Sequence, residues 1–245
     1  FFQDELCVAI ERAGLTCLRV YYEDRDPAAL QAELAKVIAN ERPHLLLTVG
    51  FKGCDGEGEL LRVAASYGIP VAVWFVDDPR PNCLAFQEHI DSNVYAFCWE
   101  RHYLGWLSDR GFAQVSYLPL AACASIFASP VEKQTEMQLS FTGSAMGSSY
   151  LDAIRRRFMW DSKLKPEVLK RAKALLDGQI SVLDVSKDPL PYVDEKNATW
   201  FGSLVIHTAS GIKRRELCEA LIPEGLVLVG DPKGWKSALG DDVVC

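Results

Sequence analysis

Four stretches of this chain are apolar at nearly every position: Leu45-Leu46-Leu47-Thr48-Val49, Val71-Ala72-Val73-Trp74-Phe75-Val76, Val94 to Cys98 and Val115 to Leu118. A strand with one face in water alternates apolar with polar residues; a strand apolar throughout must be covered on both faces. Helical patterns stand between these runs, at Glu59 to Tyr67, in a segment after Pro79, and at Arg101 to Arg110, with Gly68 and Gly111 placed to end them. Upstream, residues 3 to 13 put Leu6, Ile10 and Ala13 on one helical face before Gly14, and Thr16 to Val20 is expected as a further strand. Ala28 to Asn40 repeats the helical period with Leu30, Leu34, Val37 and Ile38, and Pro43 separates it from the next strand. Buried strands alternating with helices specify an α/β fold, a doubly wound parallel sheet over residues 1–120.

The pattern changes after Pro119. Residues 121–137 are small, polar and without periodicity, as suits a linker between domains. From 138 to 245 the chain reads as a short strand, Leu139 to Thr142, then a long helical excursion to Leu221, then a second strand, Leu226 to Val229. Arg155-Arg156-Arg157 within that excursion lies beside Leu151, Ile154 and Phe158 and reads as the solvated face of an amphipathic helix. This is the beginning of a second Rossmann-like domain. Because the chain opens on a helix without Met and stops soon after the second strand, it is expected to be a fragment of a longer protein, lacking a leading strand and the rest of the second domain.

A net charge of −7 without any basic stripe excludes the cation density that nucleic-acid binding needs. No apolar run reaches the roughly 20 residues of a membrane span, and no basic leader precedes a short apolar stretch. The eight cysteines stand singly, without CxxC or Cys/His metal spacing, so a reduced, cytoplasmic protein without a zinc site or disulfide framework is expected.

Ligands of open parallel sheets bind beyond the carboxyl ends of the strands. That rule selects Gly50-Phe51-Lys52-Gly53, Asp77-Asp78-Pro79-Arg80, Trp99-Glu100-Arg101-His102 and Pro119, with Gly143-Ser144 and Gly230-Asp231 in the second domain. The carboxylates of Asp77 and Asp78 could accept sugar hydroxyls or a proton, but an Asp-Pro corner also simply ends a strand. A divalent metal would need further oxygen ligands, none of which is identifiable, and a receiver-like acidic pocket would need Lys52 nearby. Gly143-Ser144 lets the backbone approach a phosphate, or makes a tight turn without ligand. Arg101 and His102 beside Trp99 offer cationic or titratable groups to an anionic substrate, while His44, His89 and His207 have no partner at catalytic spacing. There is no GxSxG, HExxH, Walker A or GxGxxG motif, which favours a transferase acting by positioning and electrostatics.

Pro43 to Gly50 followed by Gly68 to Pro79, whose strand ends Trp74-Phe75-Val76-Asp77-Asp78-Pro79, then Cys98 to Arg101, Tyr117 to Ala121 and Leu139 to Ser144, resemble in order the CgeB-like (spore-maturation protein) family of GT-B glycosyltransferases. The resemblance covers nearly the whole chain. It implies an acceptor-side domain at 1–120 and the start of a donor-side domain at 138–245, opened by Phe141-Thr142-Gly143-Ser144 and continued by the strand within Gly225 to Asp231. It further implies sugar transfer from a nucleotide-diphospho-sugar to a glycan, protein or metabolite acceptor in the cleft between domains, usually without metal and with no tightly bound cofactor. On that reading Asp77 and Asp78 are catalytic, Gly50, Lys52, Trp99, Arg101 and His102 bind substrate, and Gly143, Ser144, Gly230 and Asp231 bind the donor. The family's Arg/Glu segment that grips donor ribose and phosphates would fall beyond Cys245. The alternative is a noncatalytic sugar- or partner-binding protein that retains the fold.

Overall fold

The computed structural model describes residues 2–20, 26–121, 139–146, 164–187 and 195–240. The chain divides into two compact units, Phe1–Pro130 and Val131–Cys245. Their described residues form a mixed α/β protein with eight helices.

In the first unit, strands β1 (Leu46–Val49), β2 (Val71–Phe75), β3 (Val94–Cys98) and β4 (Gln114–Tyr117) lie side by side in chain order, and every pair is parallel. Helices α1 (Phe2–Arg12) and α2 (Pro27–Glu41) precede the sheet; α3 (Glu59–Ser66), α4 (Arg80–Phe86) and α5 (Leu104–Ser108) link successive strands. All five residues of β2 are buried, as an apolar strand with a neighbour on each side requires. At the edge, β4 is half exposed. The strand order does not reverse among the described strands, so the reversal that marks a doubly wound sheet does not occur there. An aromatic cluster lies beside the carboxyl end of β2: Phe51 stacks on Phe86 at 4.5 Å and meets Phe75 edge-on at 5.9 Å, and Phe75 meets Phe112 at 6.1 Å.

Two expectations are corrected. Thr16 to Val20 is not a strand; it pairs with no other strand among the described residues, and Leu18 is 52% exposed. Arg19 ties it to α1 instead, through Asp4 at 3.4 Å and Glu11 at 3.2 Å. β-branched and apolar residues favour an extended backbone, but only a neighbouring ladder makes it a strand. The helix expected over Arg101 to Arg110 is a 3₁₀ turn, Arg101–Tyr103, followed by the five-residue α5. Residues 122–137 of the expected linker, and Arg155 to Arg157, lie outside the described residues.

In the second unit β5 (Ser140–Thr142) pairs in parallel with β6 (Val227–Val229). The connection between them includes α6 (Leu164–Leu176) and α7 (Glu195–Leu221), and β6 runs into α8 (Pro232–Leu239). Leu164, Val168 and Ala172, spaced by four along α6, bury one stripe against Phe201, Leu204, Val205 and Ala209 of α7. A second cluster joins Leu226, Leu228, Ala145, Cys218 and Trp235 around the strand pair. Among the described residues no helix is long and apolar enough to cross a membrane.

Leu204, fully buried, and Leu217, 48% exposed, lie on the same helix. Leu204→Ala is expected to cost about 2–5 kcal/mol in urea denaturation and Leu217→Ala less than about 0.5 kcal/mol; equal losses would mean that α6 and α7 do not pack as described. At the start of α3, Asp55 accepts hydrogen bonds from the amides of Glu59 (2.8 Å) and Leu60 (3.1 Å). Burial opposes its charge, but these donors outweigh burial and hold its carboxyl below the ordinary range. The stabilisation is therefore present above the unfolded carboxyl's pKa and lost as pH falls through the folded one. Asp55→Ala should cost about 1 kcal/mol at neutral pH, with the urea midpoints of variant and parent converging in strong acid; a gap unchanged by acid would refute the cap.

Candidate functional site

Because β1 to β4 are parallel, their carboxyl ends share one edge of the sheet. After β1 the backbone turns through Gly50 (φ 57) and Phe51 (φ 60). A Cβ on Gly50 would stand 3.1 Å from the Asn82 side chain, so the close approach of this turn to α4 and the positive φ both favour glycine. Thr48 donates to the Lys52 carbonyl at 2.7 Å and closes the turn, while the Lys52 side chain is exposed.

The Asp77-Asp78 pair separates into two different environments. The Asp78 carboxylate accepts from the Arg80 amide at 3.0 Å and from its guanidinium at 2.9 Å (Nε) and 2.7 Å (Nη2). Arg80 is only 3% exposed and lies over the Tyr103 ring at 5.6 Å. Burial would weaken its hold on a proton, but Asp78 more than offsets this and keeps it charged. Burial, reinforced by the Asp78 carboxylate, pushes the Tyr103 hydroxyl's pKa up. Asp78 is therefore the counter-ion of a buried cation, at the Asp-Pro corner that starts α4. Asp77 is exposed and, among the described residues, makes no hydrogen bond or ion pair, leaving its carboxylate available at the rim.

Trp99 is half-buried; its amide donates to the Phe75 carbonyl at 3.1 Å, and its indole nitrogen is enclosed without an acceptor. His102 lies 2.9 Å from Glu100, and this hydrogen bond holds the Glu100 carboxyl below the ordinary range. The Arg101 guanidinium stacks on Tyr117 at 3.9 Å. Thus Arg101 and His102 are at the rim as expected, but each already has a neighbour. Sequence reasoning did not anticipate the Arg80–Tyr103 contact, since 3.6-residue periodicity says nothing about a guanidinium reaching the turn after another strand.

In the second unit the four selected residues converge. The Gly143 amide donates to the Val229 carbonyl at 2.9 Å, and the Gly143 carbonyl accepts from the Trp235 indole at 2.9 Å. A Cβ on Gly230 would meet that same carbonyl at 3.3 Å, and Gly230 has φ 95, so two backbones touch where any side chain would intrude. Asp231 caps α8 by accepting from the Gly234 amide at 3.1 Å, and its other carboxylate oxygen accepts from the Ala145 amide at 3.3 Å. Two amides that could have faced a phosphate thus already serve an internal anion. Ser144 accepts at its hydroxyl from the Met146 amide at 3.3 Å, and its carbonyl takes a hydrogen bond from Arg214 Nη1 at 2.8 Å. Arg214 is a second residue that the sequence did not point to: it sits 70 positions away on α7 and only the fold brings it to this loop.

Among the described residues there is no group of three or more His, Cys, Asp or Glu side chains placed to hold a metal. Replacing Asp78 by Asn leaves Arg80 buried without its counter-charge and is expected to cost about 3–5 kcal/mol, whereas Asp77→Asn should change stability by less than about 0.5 kcal/mol. Urea denaturation of the two variants decides it: equal effects would refute the division of roles. Comparison with known proteins returns no match, whether among protein families, curated proteins or solved structures.

Proposed function

We propose that this chain carries acceptor-side and donor-side Rossmann-like residues of a GT-B glycosyltransferase of the CgeB-like kind, using a nucleotide-diphospho-sugar donor. The observation that carries this reading is the meeting of the Gly143 and Gly230 loops at the carboxyl ends of two paired parallel strands. In a Rossmann-like domain that position belongs to a nucleotide. In this reading, Gly143, Ser144, Gly230 and Asp231 shape the donor loop. Arg214, whose guanidinium is anchored there by the Ser144 carbonyl, supplies positive charge toward the diphosphate. Asp77 is the uncommitted carboxylate for an acceptor hydroxyl, while Asp78 acts by holding Arg80 and so positions the corner that carries Asp77. Gly50, Lys52, Trp99, Arg101 and His102 belong to the acceptor side. The reaction needs no tightly bound cofactor, and the cytoplasm supplies its donors.

A specific observation favours the second reading, a noncatalytic sugar- or partner-binding protein. Asp78 is tied to Arg80, and the Ala145 and Gly234 amides are tied to Asp231, so several groups that chemistry would need serve the fold. Calorimetric titration of the longest natural chain that contains these residues with UDP-, GDP-, ADP- and TDP-sugars, paired with mass spectrometry for sugar release, separates the two. One nucleotide sugar should bind with Kd between roughly 1 μM and 1 mM, the range typical of enzyme substrates, and Arg214→Ala should weaken it at least about tenfold, as loss of one charge-assisted contact does. Binding without sugar release or transfer sustains the second reading. No binding by any member of the panel rules out the first.

A further inference from the structure

Cys7 and Cys17 are ten positions apart, with no metal or redox spacing between them, yet the fold sets their sulfurs 2.8 Å apart. Cys7 lies on α1 with its side chain buried; Cys17 lies in the Thr16 to Val20 segment after that helix and is partly exposed. That approach is not an isolated accident of two side chains. Arg19, two residues beyond Cys17, bridges Asp4 and Glu11 on the same helix, on either side of Cys7 in the sequence, so ion pairs as well as the thiol contact hold the segment against α1. A disulfide bond is about 2.05 Å long, so the two sulfurs need less than an ångström of further approach.

We infer that Cys7 and Cys17 form a dithiol that low-molecular-weight disulfides oxidise reversibly, covalently fastening the segment after α1 to that helix. The two thiols have unequal parts. Burial, and then the hydrogen bond shared with Cys17, raise the Cys7 thiol's pKa to about 11, which makes Cys7 a poor first nucleophile. Cys17, the accessible member, attacks as its thiolate on one sulfur of a disulfide RSSR; the Cys17–S–SR bond forms, the RS–SR bond breaks and RS⁻ leaves, to be protonated. Cys7 then gives up its proton and attacks the Cys17 sulfur, forming the Cys7–Cys17 bond and expelling the second RS⁻, which takes a proton. In sum two protein thiols are oxidised, one RSSR is reduced to two RSH, and a dithiol reductant reverses the step. None of the other cysteines in the described residues has a thiol partner in a hydrogen bond, and Cys83, Cys98 and Cys218 are buried.

The test is to incubate the folded full chain with glutathione disulfide at mildly alkaline pH, block free thiols with an alkylating agent and map tryptic peptides. The peptide ending at Arg12 should emerge joined to Ala13–Arg19, lighter than the sum by two hydrogens, with two of the eight thiols lost to alkylation and both recovered after dithiothreitol. Cys7→Ser should lose the linked peptide and instead carry one glutathione on Cys17; Cys17→Ser should leave Cys7 unmodified under the same exposure. A parent chain in which Cys17 keeps its glutathione, stays free, or joins any cysteine other than Cys7 overturns the inference. Because the mapping is done on the parent chain, a variant that fails to fold does not spare it.

Discussion

The constraint on which the first unit depends is that β2 has no solvent-facing side. Each of its five residues is buried, and each of its two edges is occupied by a parallel neighbour. Its backbone can be hydrogen-bonded only by β1 and β3, and its side chains can be covered only if helices return across the sheet between successive strands. Parallel pairing has a second consequence. It delivers every strand to the same edge at its carboxyl end, so the turns beginning at Gly50, Asp77, Trp99 and Leu118 are neighbours whatever their distance in sequence.

At that edge the structure uses most of its charge to stabilise itself. Arg80 is buried, and a buried guanidinium persists only with a counter-charge and hydrogen bonds in good geometry; Asp78 provides both in a fork of two contacts. The second unit solves a similar problem with Asp231, whose carboxylate satisfies the start of α8 and the Ala145 amide together. Carboxylates that look alike in sequence thus have different work: Asp78 and Asp231 hold turns, and Asp77 faces water. The same economy explains Gly143 and Gly230. Their contact through bare backbone lets the Trp235 indole reach the Gly143 carbonyl and close the small core beneath.

Much of the secondary structure was legible. The β1 to β6 boundaries fall within one residue of those expected from apolar runs and their Gly or Pro borders, because a short, largely apolar run between such borders is a signature that few other conformations share. The exception is instructive. Thr16 to Val20 has strand composition and no strand partner, and composition cannot report whether a neighbouring edge exists. For the candidate site, the rule about strand ends selected turns that do follow the strands, but not the state of each group. That Asp78 is ion-paired, that Arg101 lies on Tyr117, and that Arg214 reaches Ser144 are contacts across 2, 16 and 70 positions, and only the first is local enough for sequence to suggest.

By itself, the sequence determined that this protein alternates helices with largely apolar strands, and that Asp77, Asp78, Gly143, Ser144, Gly230 and Asp231 stand at strand ends. It could do so because periodicity and turn chemistry are properties of neighbouring residues along the chain. Only the tertiary structure decided the order of the strands, which carboxylate remains free at the rim, and which thiols meet. Those are matters of distance between groups far apart in the chain, and the packing that sets such distances is specified by the whole core rather than by any local pattern.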